Sequence, residues 1–293
     1  MFKNAPKRID VHAHALISKE ISIPRLDGTV LHDYKELCNL YDNNGIAMGI
    51  IMPIVSPEFQ SFLVTNEDAW FMSSNSANRL KWCCNIDPRM ECFSDKTDFS
   101  RMLRFYKSKG AVGVGELMAN YSLDDPIMDN LLFHCAECDM PVTIHWAEVL
   151  NRGYGIYGGG NMVLLERTLK KYPKLTIIGH SVPFWDLLYE KAGGRRLVQL
   201  MRECPNLYCD TSANSGYNAA SKNTPYFYEF LNEFQDRILF GLDICYIGEN
   251  LYKKTIKFYD DALNNNFITR EIYDKINYIN AVKLYKLNIH EER

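Results

Sequence analysis

Seven histidines are spread over 293 residues, and four of them, with one aspartate, occupy places where a reactive ion could be held. Asp10-Val11-His12-Ala13-His14 ends an apolar run, Arg8–His12, that reads as a strand. Strand side chains alternate with period two, so His12 and His14 face the same way. Two imidazoles on one face can reach one metal ion, and imidazole suits zinc. His145 and His180 close the runs Pro141–Trp146 and Leu175–His180, and Asp243 closes Ile238–Asp243. Neutral imidazoles and a carboxylate brought together would bind a divalent ion and leave one position open for water. A chance HxH is unremarkable among seven histidines, and any one histidine near a strand end is more simply a packed residue. Four such histidines together with Asp243 are not explained that way.

Those positions become equivalent in one architecture. Short apolar or β-branched runs alternate with longer stretches of helical periodicity. The expected strands are Arg8–His12, Ala47–Pro53, Lys81–Ile86, Ala111–Leu117, Pro141–Trp146, Leu175–His180, Leu207–Thr211 and Ile238–Asp243. The expected helices are Asp33–Asn43, Asn66–Asn78, Thr97–Lys109, Pro126–Cys138, Met162–Lys171, Asp186–Glu203, Pro225–Asn232 and Tyr252–Asn264. A last helix, Arg270–Tyr285, either closes the base or packs outside. Lys109-Gly110, Tyr172-Pro173 and Cys204-Pro205 each punctuate a helix end before a strand. Eight strand–helix units predict an α/β fold, a closed (β/α)₈ TIM barrel over residues 1–293 as one domain, in preference to an open doubly wound sheet. All five chemical residues then fall on the C-terminal rim, where barrel active sites lie.

Composition narrows the partners. A net charge of −3 gives no electrostatic reason to expect nucleic acid or an anionic membrane. The longest apolar stretch, Ile46–Val55, is too short to span a bilayer, and the polar, basic start Met1–Arg8 has no signal-peptide core. A cytoplasmic enzyme acting on a small molecule is expected, with homo-oligomerisation left open. Nine cysteines, an odd number in a long chain, do not read as a disulfide framework. Cys135-x-x-Cys138 has no second CxxC at zinc-ribbon spacing and reads as a helix face.

Taken in order, DxHxH, His145, Gly179-His180 and Asp243 resemble the amidohydrolase superfamily. Gly113-Val-Gly-Glu116, Asp124-Asp125-Pro126-Ile-Met-Asp129, Met140-Pro-Val-Thr-Ile-His145 and Lys171-Tyr-Pro-Lys-Leu-Thr-Ile-Ile-Gly-His180 are similar to its amidohydrolase-2 branch of metal-dependent hydrolases and decarboxylases. The resemblance covers nearly the whole chain. It implies that His12, His14, His145 and Asp243 ligate a divalent metal, Zn²⁺ by preference, or partner its water. His180 would serve a second ion or the substrate, and Asp243 would take the proton of the attacking water. Binuclear relatives carry a carboxylated lysine or a glutamate at the end of strand four, where this chain has Glu116. Glu116 therefore bridges two ions or acts behind a single one, and the reading leans to one.

The expected reaction is hydrolysis of an amide, lactone or ester bond. The alternative is decarboxylation of an aromatic or unsaturated acid by the same residues. A TatD-like nuclease fits less well, because Glu116 is followed by Leu117-Met118-Ala119 and no basic groove is apparent. A non-catalytic barrel conflicts with a complete ligand set. The long glycine- and tyrosine-rich loop 146–161 reads as a lid. Arg152 in it, with Tyr121, Trp146 and Trp185, are the candidate substrate contacts; Arg152 suits a carboxylate, or equally a surface salt bridge.

Overall fold

Strand segments that are apolar on both faces need cover on both sides, as a parallel sheet wrapped by helices provides. A computed structural model describes residues 8–288 apart from 21, 59–61, 190–194, 247 and 249. Its strands are β1 (Arg8–Ala13), β2 (Ile46–Ile51), β3 (Leu80–Cys84), β4 (Ala111–Leu117), β5 (Val142–Ala147), β6 (Ile177–His180), β7 (Leu207–Asp210) and β8 (Ile238–Leu239). They are hydrogen-bonded in chain order and all parallel. Val11 N–H donates to the Phe240 carbonyl at 3.1 Å and Asp243 N–H to the His12 carbonyl at 2.9 Å, which joins the last strand to the first. The barrel is closed, as expected. The eighth strand is shorter than Ile238–Asp243, because its ladder to β7 ends at Leu239 and the following residues bond to β1 instead.

Local chemistry sets the helix starts. Helix α1 (Tyr34–Asn43) opens on a capping box: Asp33 accepts from the Lys35 and Glu36 amides, and the Glu36 side chain accepts from the Asp33 amide. Helix α4 (Pro126–Glu137) is capped by Asp125 with proline in its first turn. Between them lie α2 (Asn66–Ser74) and α3 (Ser100–Ser108), and α5 (Val163–Lys171) follows. The expected helix Asp186–Glu203 is instead α6 (Val182–Trp185), a 3₁₀ turn Asp186–Leu188 and α7 (Arg196–Glu203), with 190–194 outside the described residues. Helix α8 (Ala213–Lys222) was not expected, since the residues it buries, Ser215, Gly216, Ala219 and Ala220, are too small to give an apolar stripe. It is followed by α9 (Thr224–Glu233) and α10 (Leu251–Asn264).

The last helix runs as α11 (Arg270–Asp274), a π turn Lys275–Ile279 and α12 (Asn280–Tyr285). It closes the base: Ala281, Tyr285 and Leu287 pack with Ile9, Val11, Met48, Ile50 and Cys83 in an apolar plug inside the barrel. A second, larger layer fills the space between strands and helices. None of the nine cysteines is in a disulfide. No helix among the described residues is long and apolar enough to cross a membrane.

Candidate active site

Alternation along each strand decides what stands above the apolar plug. Ile178 belongs to the plug, so His180, two residues on, faces the same lumen, and the ladder sets His145 opposite it. Leu239 likewise carries Gly241 and Asp243 inward. Strand β1 breaks this rule. Val11 lies in the plug while Asp10 points the other way, to the Tyr41 hydroxyl of α1 at 2.7 Å. Plain alternation would send His12 after Asp10. The β1–β2 register instead slips between Asp10 and Ala13, and this bulge turns His12 inward to join His14. A second slip, between Val114 and Leu117 of β4, accompanies Glu116 into the lumen.

Glu116 lies at the centre of the group. Its Oε2 is 3.3 Å from His12 Nε2 and 3.4 Å from His14 Nε2, and those nitrogens are 3.2 Å apart. Its Oε1 is 2.7 Å from His145 Nδ1 and 3.6 Å from His180 Nε2. Asp243 Oδ1 stands 3.7 Å from His14 Nε2 and 4.0 Å from His12 Nε2, with Oδ2 3.8 Å from His180 Nε2. His12, His14, Glu116 and His180 are buried; the side chains of His145 and Asp243, 19% and 16% exposed, form the solvent edge. Asp243 has a left-handed backbone (φ 49°), a conformation that aspartate tolerates better than most residues.

The donor set can be tested for an ion. His14 Nδ1 donates to the Met52 carbonyl at 2.9 Å and His12 Nδ1 to Asp210 Oδ2 at 2.6 Å. Both Nε2 atoms are thereby turned towards each other and towards the Glu116 carboxylate, where an ion would take the place of any proton they hold. Ligands at about 2.0–2.1 Å around a tetrahedral zinc stand about 3.3 Å apart, which is the spacing of the His12–His14–Glu116 triangle. The residues fit a divalent ion. His145, Glu116 and His180 form a second candidate group on the other oxygen, but there the short His145–Glu116 hydrogen bond already occupies Glu116 Oε1.

The field of the site agrees. Burial disfavours a charged His12, yet Glu116, Asp243 and Asp210 together hold its pKa well above the ordinary value, so this point of the protein attracts positive charge. Burial likewise opposes ionisation of Glu116, but His12 and His145 keep its carboxyl well below the usual range. Burial and the neighbouring His12 push His180 down to about 4, so it stays neutral.

The structure brings His12, His14, Glu116, His145, His180 and Asp243 together. It does not bring the other candidates. Trp146 and Trp185 are buried in the strand–helix layer, Trp185 packing against Phe227 and Phe230. Tyr121 lies under the Arg89 guanidinium, 5.8 Å from its ring, and Arg152 is exposed. The loop 146–161 is tied to the rim, with Gly155 and Tyr157 amides donating to the Met118 and Tyr121 carbonyls, and places Tyr154 against His145 with ring centroids 4.6 Å apart. Three residues were missed. Asp210 ends β7 in the same inward register and was legible as such. Ser212 lies just beyond it, bonded to His180. Arg25, bonded to Cys245 and in the field of Asp243, lies in the irregular β1–α1 loop, where no periodic pattern points to it.

A model of the amidohydrolase family matches residues 98–287. No curated protein matches the chain. Among solved structures, a probable 2-pyrone-4,6-dicarboxylic acid hydrolase from Acinetobacter baumannii, with citric acid bound, is 15% identical (TM-score 0.64, 96% of this chain and 99% of that one). A 5-carboxyvanillate decarboxylase from Sphingomonas paucimobilis is 14% identical (TM-score 0.66, 97% and 100%). One from Novosphingobium aromaticivorans, complexed with manganese and 4-hydroxy-3-methoxy-5-nitrobenzoic acid, is 16% identical (TM-score 0.66, 98% and 98%). At these identities the likeness to the solved structures is one of fold.

Proposed function

The chain belongs to the amidohydrolase family, and on that premise we propose that it is a metal-dependent hydrolase that cleaves an amide, lactone or ester bond in a small carboxylic acid. The observation that carries this is the His12–His14–Glu116 triangle with Asp243 at its open edge. These four residues would hold one divalent ion tightly. His145 and His180, on the far oxygen of Glu116, would hold a second only weakly. The two imidazoles favour zinc, and the two carboxylates also accommodate manganese. An ion so held would polarise the reacting group and lower the pKa of a water towards neutrality.

The remaining work falls to the chain. Asp243, on the solvent edge, accepts the proton of the attacking water and returns it to the leaving group. His180, neutral and buried, contributes a lone pair and no competing charge. Arg25, bonded to Cys245 and in the field of Asp243, would bind a carboxylate of the substrate, the role first given to Arg152. A cytoplasmic location is part of the same proposal.

The same groups suit decarboxylation, with Asp243 delivering a proton to carbon. Arg25 favours an acidic substrate in either case, and the solved relatives include hydrolases and decarboxylases. Incubation of zinc- and manganese-loaded protein with lactone, ester and aromatic dicarboxylate panels in ¹⁸O water separates them. Label entering the product supports hydrolysis. Release of carbon dioxide with no label in the organic product replaces it with the lyase reading.

A further inference from the structure

One carboxylate lies behind the cluster and not in it. Asp210 is fully buried at the end of β7 and receives three donors. Its Oδ1 accepts the Ser212 amide at 2.9 Å. Its Oδ2 accepts the Ser212 hydroxyl at 3.0 Å and His12 Nδ1 at 2.6 Å. The Ser212 hydroxyl has one proton, and it points to Asp210. Towards His180 Nδ1, 3.0 Å away, Ser212 Oγ can therefore only accept. The chain of contacts runs His12–Asp210–Ser212–His180.

The surroundings are shaped for it. A Cβ at Gly241 would stand 2.3 Å from Asp210 Oδ1 and 2.9 Å from Ser212 Cβ, so the strand across from Asp210 has room for the carboxylate only because it carries glycine. The Trp185 indole donates to the Asp210 carbonyl at 3.1 Å and fixes the end of β7. His12, His180 and Asp210 also group closely enough to suggest an ion of their own. That assignment fails, because Asp210 Oδ2 is already engaged by two donors and both imidazoles turn Nδ1 towards it or its serine.

We propose that Asp210 and Ser212 are positioning residues: one buried carboxylate, directly and through one hydroxyl, keeps the Nδ1 proton on both His12 and His180, so that both Nε2 atoms are left to face the ion site. Partners of this kind orient metal-binding histidines and set their basicity. The consequence for ion binding rests on the metal-centre reading, whereas the tautomers belong to the metal-free protein and test the relay alone.

The experiment is long-range ¹H–¹⁵N correlation on metal-free, ¹⁵N-histidine protein, paired with Zn²⁺ affinity by chelator competition. Ser212→Ala removes one hydroxyl without adding bulk. It should shift His180 away from the Nδ1–H form, leave His12 unchanged and weaken zinc binding roughly tenfold. Asp210→Asn should disturb both imidazoles and weaken zinc by up to roughly a hundredfold. If Asp210→Asn does not fold, Ser212→Ala alone decides. Wild-type tautomers in Ser212→Ala overturn the proposal, as does wild-type zinc affinity once the tautomers have shifted. A wild-type chain that binds no zinc overturns the metal reading instead, and the tautomer arm still decides the relay.

Discussion

Tyr41→Phe removes a single oxygen from the base of the site, and its effect can be worked from the contacts of Asp10. Asp10 Oδ1 accepts the His12 amide at 3.1 Å and the Leu242 amide at 2.8 Å, tying β1 to the last strand beneath His12 and Asp243. Its Oδ2 accepts the Tyr41 hydroxyl at 2.7 Å, with both residues fully buried. Gly49 makes this possible, since a Cβ there would lie 2.5 Å from that hydroxyl. Burial raises the Asp10 pKa to about 7, and Tyr41 opposes the rise by favouring the anion. An acid raised in this way holds a proton that the unfolded chain has already lost, so its contribution to stability declines as pH climbs from the unfolded value of 3.8 towards 7. Losing Tyr41 raises the folded pKa further and extends that decline upward. A buried bond to a neutral carboxyl contributes about 1 kcal/mol and one to a carboxylate about 2 kcal/mol. The expected deficit of Tyr41→Phe is therefore about 1 kcal/mol near pH 5.5, growing to about 2 kcal/mol near pH 8.5. Urea unfolding at the two pH values, with unchanged slope, measures it. A deficit that shrinks as pH rises, or stays under about 0.5 kcal/mol at both, refutes the argument.

Asp243→Asn should keep the fold and most of the ion but lower turnover by roughly 10²–10⁴, as steady-state kinetics would reveal; near-normal turnover moves the proton to another group. Arg25→Met should raise KM for substrates bearing a carboxylate at least about tenfold with kcat nearly unchanged, and Arg25→Lys should recover part of that loss. His32 is buried, and burial pushes its pKa down to about 4. The unfolded chain takes up a proton below its value of 6.5 while the fold does not, so stability falls as pH drops through 6.5 towards 4. His32→Phe should remove about 2 kcal/mol of that acid sensitivity at about pH 5, and parallel pH profiles for the two proteins would contradict it.

How far the sequence carried varies from strand to strand. Where alternation runs unbroken, as at His145 on β5 and His180 on β6, position alone put the imidazoles on the rim. On β1 the HxH spacing was enough to group His12 with His14, but not to see that a bulge turns them away from Asp10. Glu116 stayed ambiguous because β4 also slips register, and only coordinates show which oxygen meets which imidazole. Trp146 and Trp185 seemed to be rim aromatics; Trp146 follows an inward His145 and so must point outward into the helix layer. Asp210 was readable by the same logic that found His180, while Arg25 was not, because its loop has no period to read.

The central claim is that His12, His14 and Glu116 hold one ion tightly. Elemental analysis after exhaustive dialysis of zinc-loaded wild type, Glu116→Gln and the His12→Ala/His14→Ala double variant tests it most directly. The account predicts about one zinc per wild-type chain, well under half of that in Glu116→Gln, and none above background in the double variant. A full zinc equivalent retained by Glu116→Gln, or by the double variant, would contradict it.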